Sequence, residues 1–80
     1  MIEQNQMREV IETISNLILE EESDELYFMR GNAYSRCGDW KHAMSDYCRA
    51  VELNPDSPSA DAYDALVRIM EFYNKDMYNP

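Results

Sequence analysis

Cys37, His42 and Cys48 fall within one short span of this 80-residue chain, and thiolates and an imidazole so placed could ligate zinc or form a nucleophile and its base. Their spacing argues against both uses. Structural zinc takes four ligands and usually draws two cysteines from within a few residues; here the cysteines fall on different expected helices and the chain has a single histidine. No glycine elbow, phosphate loop or paired-carboxylate pattern accompanies His42, and a short helical stack has no deep cleft to tune a pKa or exclude water. The expectation is a chain with no catalytic residue, no metal and no cofactor, in which both thiols pack. Two cysteines are too few for a disulfide framework, and a reducing compartment leaves them free.

The charge balance carries more information. Sixteen acidic against seven basic side chains give a formal charge of −9, which disfavours phosphate backbones and anionic lipid and favours a basic partner. Nucleic acid and membrane are therefore excluded as expected partners. A hydrophobic content of 45%, with six Tyr, two Phe and one Trp, supplies the buried area that a disordered acidic chain lacks. At this length the core is thin, so the Met residues and the Tyr-rich stripes are needed for packing. No apolar run is long enough to span a bilayer, and Met1-Ile2-Glu3-Gln4 has neither the basic start nor the apolar core of a secretory signal. The expected location is the cytoplasm.

Four segments must position these residues. Met7, Val10, Ile11, Ile14, Leu17 and Ile18 recur three and four apart, which predicts a helix of about four turns ending at Glu20-Glu21-Glu22. Acids at that end oppose the helix dipole; Ser23 then caps a second helix, with Asp24 and Glu25 favouring its first turn. That helix runs from about Asp24 to Cys37, with Leu26, Tyr27, Gly31 and Tyr34 on its packing side, until Gly38 stops it. Asp39 caps a third helix from Trp40 to about Leu53, where Ala43, Tyr47, Ala50 and Val51 share a face and the alanines permit close approach. Pro55 ends it. Ser57 and Pro58 open a fourth helix, to about Tyr73, with Ala62, Leu66, Ile69, Met70 and Tyr73 as its apolar stripe. Residues 74–80 read as a tail, with Met77 and Tyr78 able to fold back.

The series Tyr27-x-x-Arg30-Gly31-x-x-Tyr34, Gly38-Asp39-Trp40, Ala43-x-x-x-Tyr47, Ala50 and Pro55 resembles one tetratricopeptide repeat, spanning Asp24 to Ser57. The resemblance implies an all-α fold, an antiparallel helix-hairpin stack of about four helices in a right-handed superhelix. Within it, 1–22 resembles the second half of a preceding repeat, 24–57 a full repeat, 58–73 a capping helix and 74–80 a tail. The whole chain is similar to short bacterial tetratricopeptide proteins of the Bacteroides type, which bring no biochemical activity with them. Arg30 departs from the family, which usually has a leucine-like residue there, so it must reach solvent or pair with an acid.

What the resemblance implies about function is non-catalytic binding of a protein or peptide on a concave face. It places Glu25, Phe28, Asn32, Ser35 and Arg36 along that face as candidate partner-binding residues. Asn32 stands where a carboxylate-clamp subclass has its asparagine, but Phe28 replaces the expected lysine one turn earlier, and a clamp needs several converging donors. An alternative follows from size. Stacked repeats usually need about three units for stability, so one full repeat and an unmatched first helix leave apolar surface that a homodimer could cover, through Ile2, Leu19 or part of the Ile11–Ile18 stripe.

Overall fold

Four helices make up the secondary structure of the computed structural model: α1 (Gln4–Glu20), α2 (Asp24–Arg36), α3 (Trp40–Leu53) and α4 (Ser59–Asn74). It describes residues 4–74, with side chains from 6 to 72, and among these there is no strand. The expectations for Ile2, for the Tyr73 side chain and for Met77 and Tyr78 lie outside the described residues. Consecutive helices pack on one another, most extensively α2 on α3. The result is the antiparallel all-α hairpin stack expected from the sequence.

Local chemistry sets each boundary. The Ser23 hydroxyl accepts a 3.0 Å bond from the Leu26 N–H, and the Asp39 carboxylate accepts from the His42 N–H at 3.2 Å, so both helices of the hairpin begin on a side-chain cap. Between them Gly38 has φ +80°, a region open to glycine at little steric cost. Its N–H reaches the Ser35 carbonyl while the Asp39 N–H reaches that of Tyr34, the paired bonds of a Schellman closure. After α3 the Asn54 carbonyl side chain accepts from the Asp56 N–H, making the turn that Pro55 requires. Ser57 then accepts from the Ser59 N–H at the entrance to α4.

Two apolar clusters lie along the stack. Ile14, Ile18, Tyr27 and Ala50 join α1 to the hairpin, with Leu26 packed against them. Ala43, Tyr47 and Leu66 join it to α4, flanked by Phe28, Tyr34, Trp40, Met44, Ala62 and Tyr63. At the crossing of α2 and α3, a methyl group added to Gly31 would stand 2.6 Å from Tyr47 Cε1, so only glycine admits the buried ring at this distance. Ser59 is fully buried, and its Oγ is the single buried side-chain polar atom without a partner among the described residues.

One expectation needs correcting, that both thiols pack, while the apolar stripes of α1 and α4 divide between buried and exposed residues. The α1 stripe does not bury as a unit: Met7, Ile14 and Ile18 are buried and Ile11 half-buried, but Val10 and Leu17 keep 42% and 45% of their surface in solvent. They flank the buried line on the side that no described helix covers. Cys37 is half-buried, whereas Cys48 is exposed because it follows the inward-facing Tyr47 by one residue, about 100° around the helix. On α4, Leu66 is buried but Ile69 keeps 41% of its surface in solvent, since α4 packs chiefly on α3.

Candidate functional site

Arg30 and Asp46 form the central polar structure of the stack. The guanidinium donates to both carboxylate oxygens of Asp46, from Nε at 2.8 Å and Nη2 at 2.7 Å, and Nη1 donates to Ser15 Oγ at 3.1 Å. Three helices are thereby joined through one side chain. Its Cζ lies 5.4 Å from the Tyr27 ring centroid and 6.0 Å from that of Tyr34, so aromatic faces at i−3 and i+4 flank the cation. The Asp46 bonds raise the Arg30 pKa above its usual value against the opposing effect of burial. Pairing with an acid is thus how the chain accommodates an arginine at a position where apolar packing was the norm. Asp46 is buried and was missed at the sequence level; the signal available was Arg30 itself, an arginine among packing residues that demanded a carboxylate.

A second polar node ties the α1–α2 connection to α3. The Tyr27 hydroxyl donates to Glu22 Oε1 at 2.7 Å, and Arg49 donates to the same oxygen at 3.0 Å while also reaching Glu52. The Tyr27 bond, then Arg49, hold the Glu22 carboxyl below its usual range.

The candidate partner-binding residues fall on α2 at offsets that place them along one side of the helix. Their burial differs. Glu25 and Arg36 are exposed; Phe28, Asn32 and Ser35 are half-buried. Phe28 packs against the α3–α4 cluster, its ring tilted 43° to that of Tyr47 at 6.1 Å. Asn32 Oδ1 accepts a 2.6 Å bond from the Tyr47 hydroxyl, which fixes the amide and leaves its Nδ2 donors unused. Phe28 and Asn32 therefore serve the fold as well as any surface. Arg36 forms no ion pair with another described residue.

Of the residues considered for chemistry, His42 stacks on Tyr34 at 5.0 Å and its Nδ1 lies 2.7 Å from Asp39 Oδ2, so it serves the start of α3. No three His, Cys, Asp or Glu side chains converge as metal ligands among the described residues. No helix there is long and apolar enough to cross a membrane.

Tyr47 links this surface to pH. Burial, then the Asp46 carboxylate, raises its pKa above the ordinary 10.0, and the Glu22 bond raises that of Tyr27. The folded chain thus keeps protons that the unfolded chain releases, so this stabilisation is complete below about pH 10 and is lost as pH climbs through the folded values. Urea midpoints measured between pH 8 and 11 should fall across that window. The same series on Tyr47→Phe should slope less, because one of the two shifted phenols is gone.

A profile of the tetratricopeptide repeat matches residues 24–57. A search of curated proteins gives no match. Among solved structures, the solution NMR structure of Bacteroides fragilis protein BF1650 aligns with a TM-score of 0.76 and 38% identity, covering 99% of this chain and 91% of that one. The matched repeat is the capped α2–α3 hairpin with Gly31 at its crossing, and the similarity extends over α1 and α4 as well. The chain belongs to the tetratricopeptide repeat family, whose members are in general non-catalytic protein-interaction modules.

Proposed function

We propose that the chain binds a peptide segment of another protein along the α2 stripe Glu25, Phe28, Asn32, Ser35 and Arg36, within one full repeat flanked by α1 and a capping α4. The observation that carries this reading is the Asn32–Tyr47 bond. It orients the amide so that two donors remain for a backbone carbonyl of the ligand, while the Phe28 ring offers apolar contact and Arg36 a cation that pairs with no other described residue. Glu25 at the start of the stripe, and a net charge of −9, favour a peptide with basic residues that carries an acceptor for Arg36. No reaction is expected of this surface, and no cofactor.

Peptides selected from a displayed random library against the folded protein provide the test, with amide chemical shifts to locate the bound peptide. The expected result is perturbation at Phe28, Asn32, Ser35 and Arg36, and loss of binding in Glu25→Arg and Arg36→Glu, both exposed, with circular dichroism to check that the helices persist. Selected peptides that shift only other elements would reject the stripe. A second reading, a self-associating subunit, draws on the apolar residues that α1 leaves at the surface.

A further inference from the structure

We propose that the groove between α1 and α2 receives a basic amphipathic helix of another protein, at a face separate from the α2 stripe. The groove is a concavity of about 650 Å³ with Met7, Val10, Ile14, Leu17 and Met29 among its walls. Val10, Leu17 and Met29 expose 42%, 45% and 51% of their surface, and Met7 and Ile14 lie buried beneath them. Leu17 also lines a second concavity of about 470 Å³, with Glu20, Glu21 and Leu26, so the two adjoin at Leu17 along α1. From Met7 to Leu17 the apolar floor runs roughly 15 Å at 1.5 Å per residue, the length of a helix of about ten residues. A floor bounded by two helical ridges, with no strand edge, fits a helix better than an extended chain.

Charge selects the occupant. Among the described residues, every charged side chain lining these two concavities is acidic: Glu9 in the first, Glu20, Glu21 and Glu22 in the second. Glu22 is engaged by Tyr27 and Arg49, but Glu9, Glu20 and Glu21 form no ion pair with another described residue. An incoming helix with an apolar stripe and lysine or arginine on its flanks would cover the floor and meet these carboxylates. A second copy of this chain would instead bring the same acidic rims together, each chain carrying −9, across a symmetric contact.

The experiment uses the full chain and three synthetic peptides of about fourteen residues: leucines at helical spacing with lysine flanks, the same stripe with glutamate flanks, and a shuffled leucine–lysine sequence without a stripe. Fluorescence anisotropy should show the first binding at least about tenfold more tightly than the other two, with amide shifts at Val10, Leu17 and Met29. Combined Val10→Ser, Leu17→Ser and Met29→Ser should lose that advantage, and Glu20→Gln with Glu21→Gln should weaken binding and flatten its salt dependence. These variants alter exposed side chains, and circular dichroism serves as the check that the helices persist. Equal binding of the shuffled peptide, shifts confined to the α2 stripe, or no binding at all would overturn the proposal. So would a concentration-dependent doubling of mass that the triple serine variant abolishes, which would assign the groove to a second copy. Because the α2 stripe is tested through Glu25 and Arg36, failure at either face leaves the other result intact.

Discussion

Asp46→Ala should lower the thermal midpoint by roughly 15 °C, the largest loss expected from any single truncation in this chain. Removing one partner of a largely buried ion pair costs about 3 kcal/mol, because the remaining charge stays partly desolvated and loses its counter-charge. A domain of this size shifts by about 4–8 °C for each kcal/mol. The Arg30 guanidinium would retain Ser15 and two aromatic faces but lose both short bonds to the carboxylate. A double-mutant cycle separates this penalty from the net worth of the pair. Arg30→Leu combined with Asp46→Leu removes both charges and supplies apolar volume, so it should recover most of what Asp46→Ala loses. If Asp46→Ala unfolds within a few degrees of the natural chain, the pair is not what holds α2 to α3.

Gly31→Ala should destabilise by about 1–3 kcal/mol even though alanine is the better helix former. The propensity gain in a helix interior is about 1 kcal/mol. Against it stands a Cβ placed 2.6 Å from Tyr47 Cε1 and 2.8 Å from Cδ1, on a ring that is buried, packed against Phe28 and tied by its hydroxyl to Asn32. The ring cannot retreat without releasing that bond or parting the helices. Denaturant melts would show the loss as a lower midpoint, and the amide resonances of Asn32 and Phe28 should move with it. Adding Tyr47→Leu should cost less in the Gly31→Ala background than in the natural chain, since the colliding ring is then absent; strictly additive costs would rule out the clash.

Both predictions bear on the α2 stripe. Asn32 can present a fixed donor only while Tyr47 holds its carbonyl, and Tyr47 holds it only because Gly31 lets the ring in. Truncating Phe28 or Asn32 would therefore disturb packing and surface together, which is why Glu25 and Arg36 are the cleaner probes of binding.

The helices were legible because their signals are local. Ser23 and Asp39 sit before helical runs with side-chain oxygens that can reach the third following N–H, Gly38 occupies a position that needs positive φ, and Pro55 cannot continue a helix. Helix α3 runs from Trp40 to Leu53 as expected, α2 stops one residue short of Cys37, and α4 begins one residue after Pro58. The hairpin crossing was legible too, since a glycine and an alanine opposite aromatic residues mark a close approach.

The candidate site was less so. The resemblance to the repeat family put Glu25, Phe28, Asn32, Ser35 and Arg36 along one face, but it cannot say how deeply each is buried or what it bonds. That Phe28 leans on Tyr47, and that Asn32 shows only its amide nitrogen, depends on a neighbour on another helix, far along the chain from both. The same holds for the α1 stripe, which reads as one apolar face although only part of it meets α2.

The sequence by itself determined the four helices, their caps and breaks, the repeat in the middle, and the acidic charge balance, because each depends on backbone chemistry within a few residues or on composition. Only the tertiary structure decided that Arg30 pairs with Asp46, that Tyr47 claims half of Asn32, and that Val10, Leu17 and Met29 line an open acidic-rimmed groove. Those outcomes depend on how α2 lies against α3 and α1, and that angle is set by the packing of Gly31, Tyr47, Ile14 and Ile18 together rather than by any one of them.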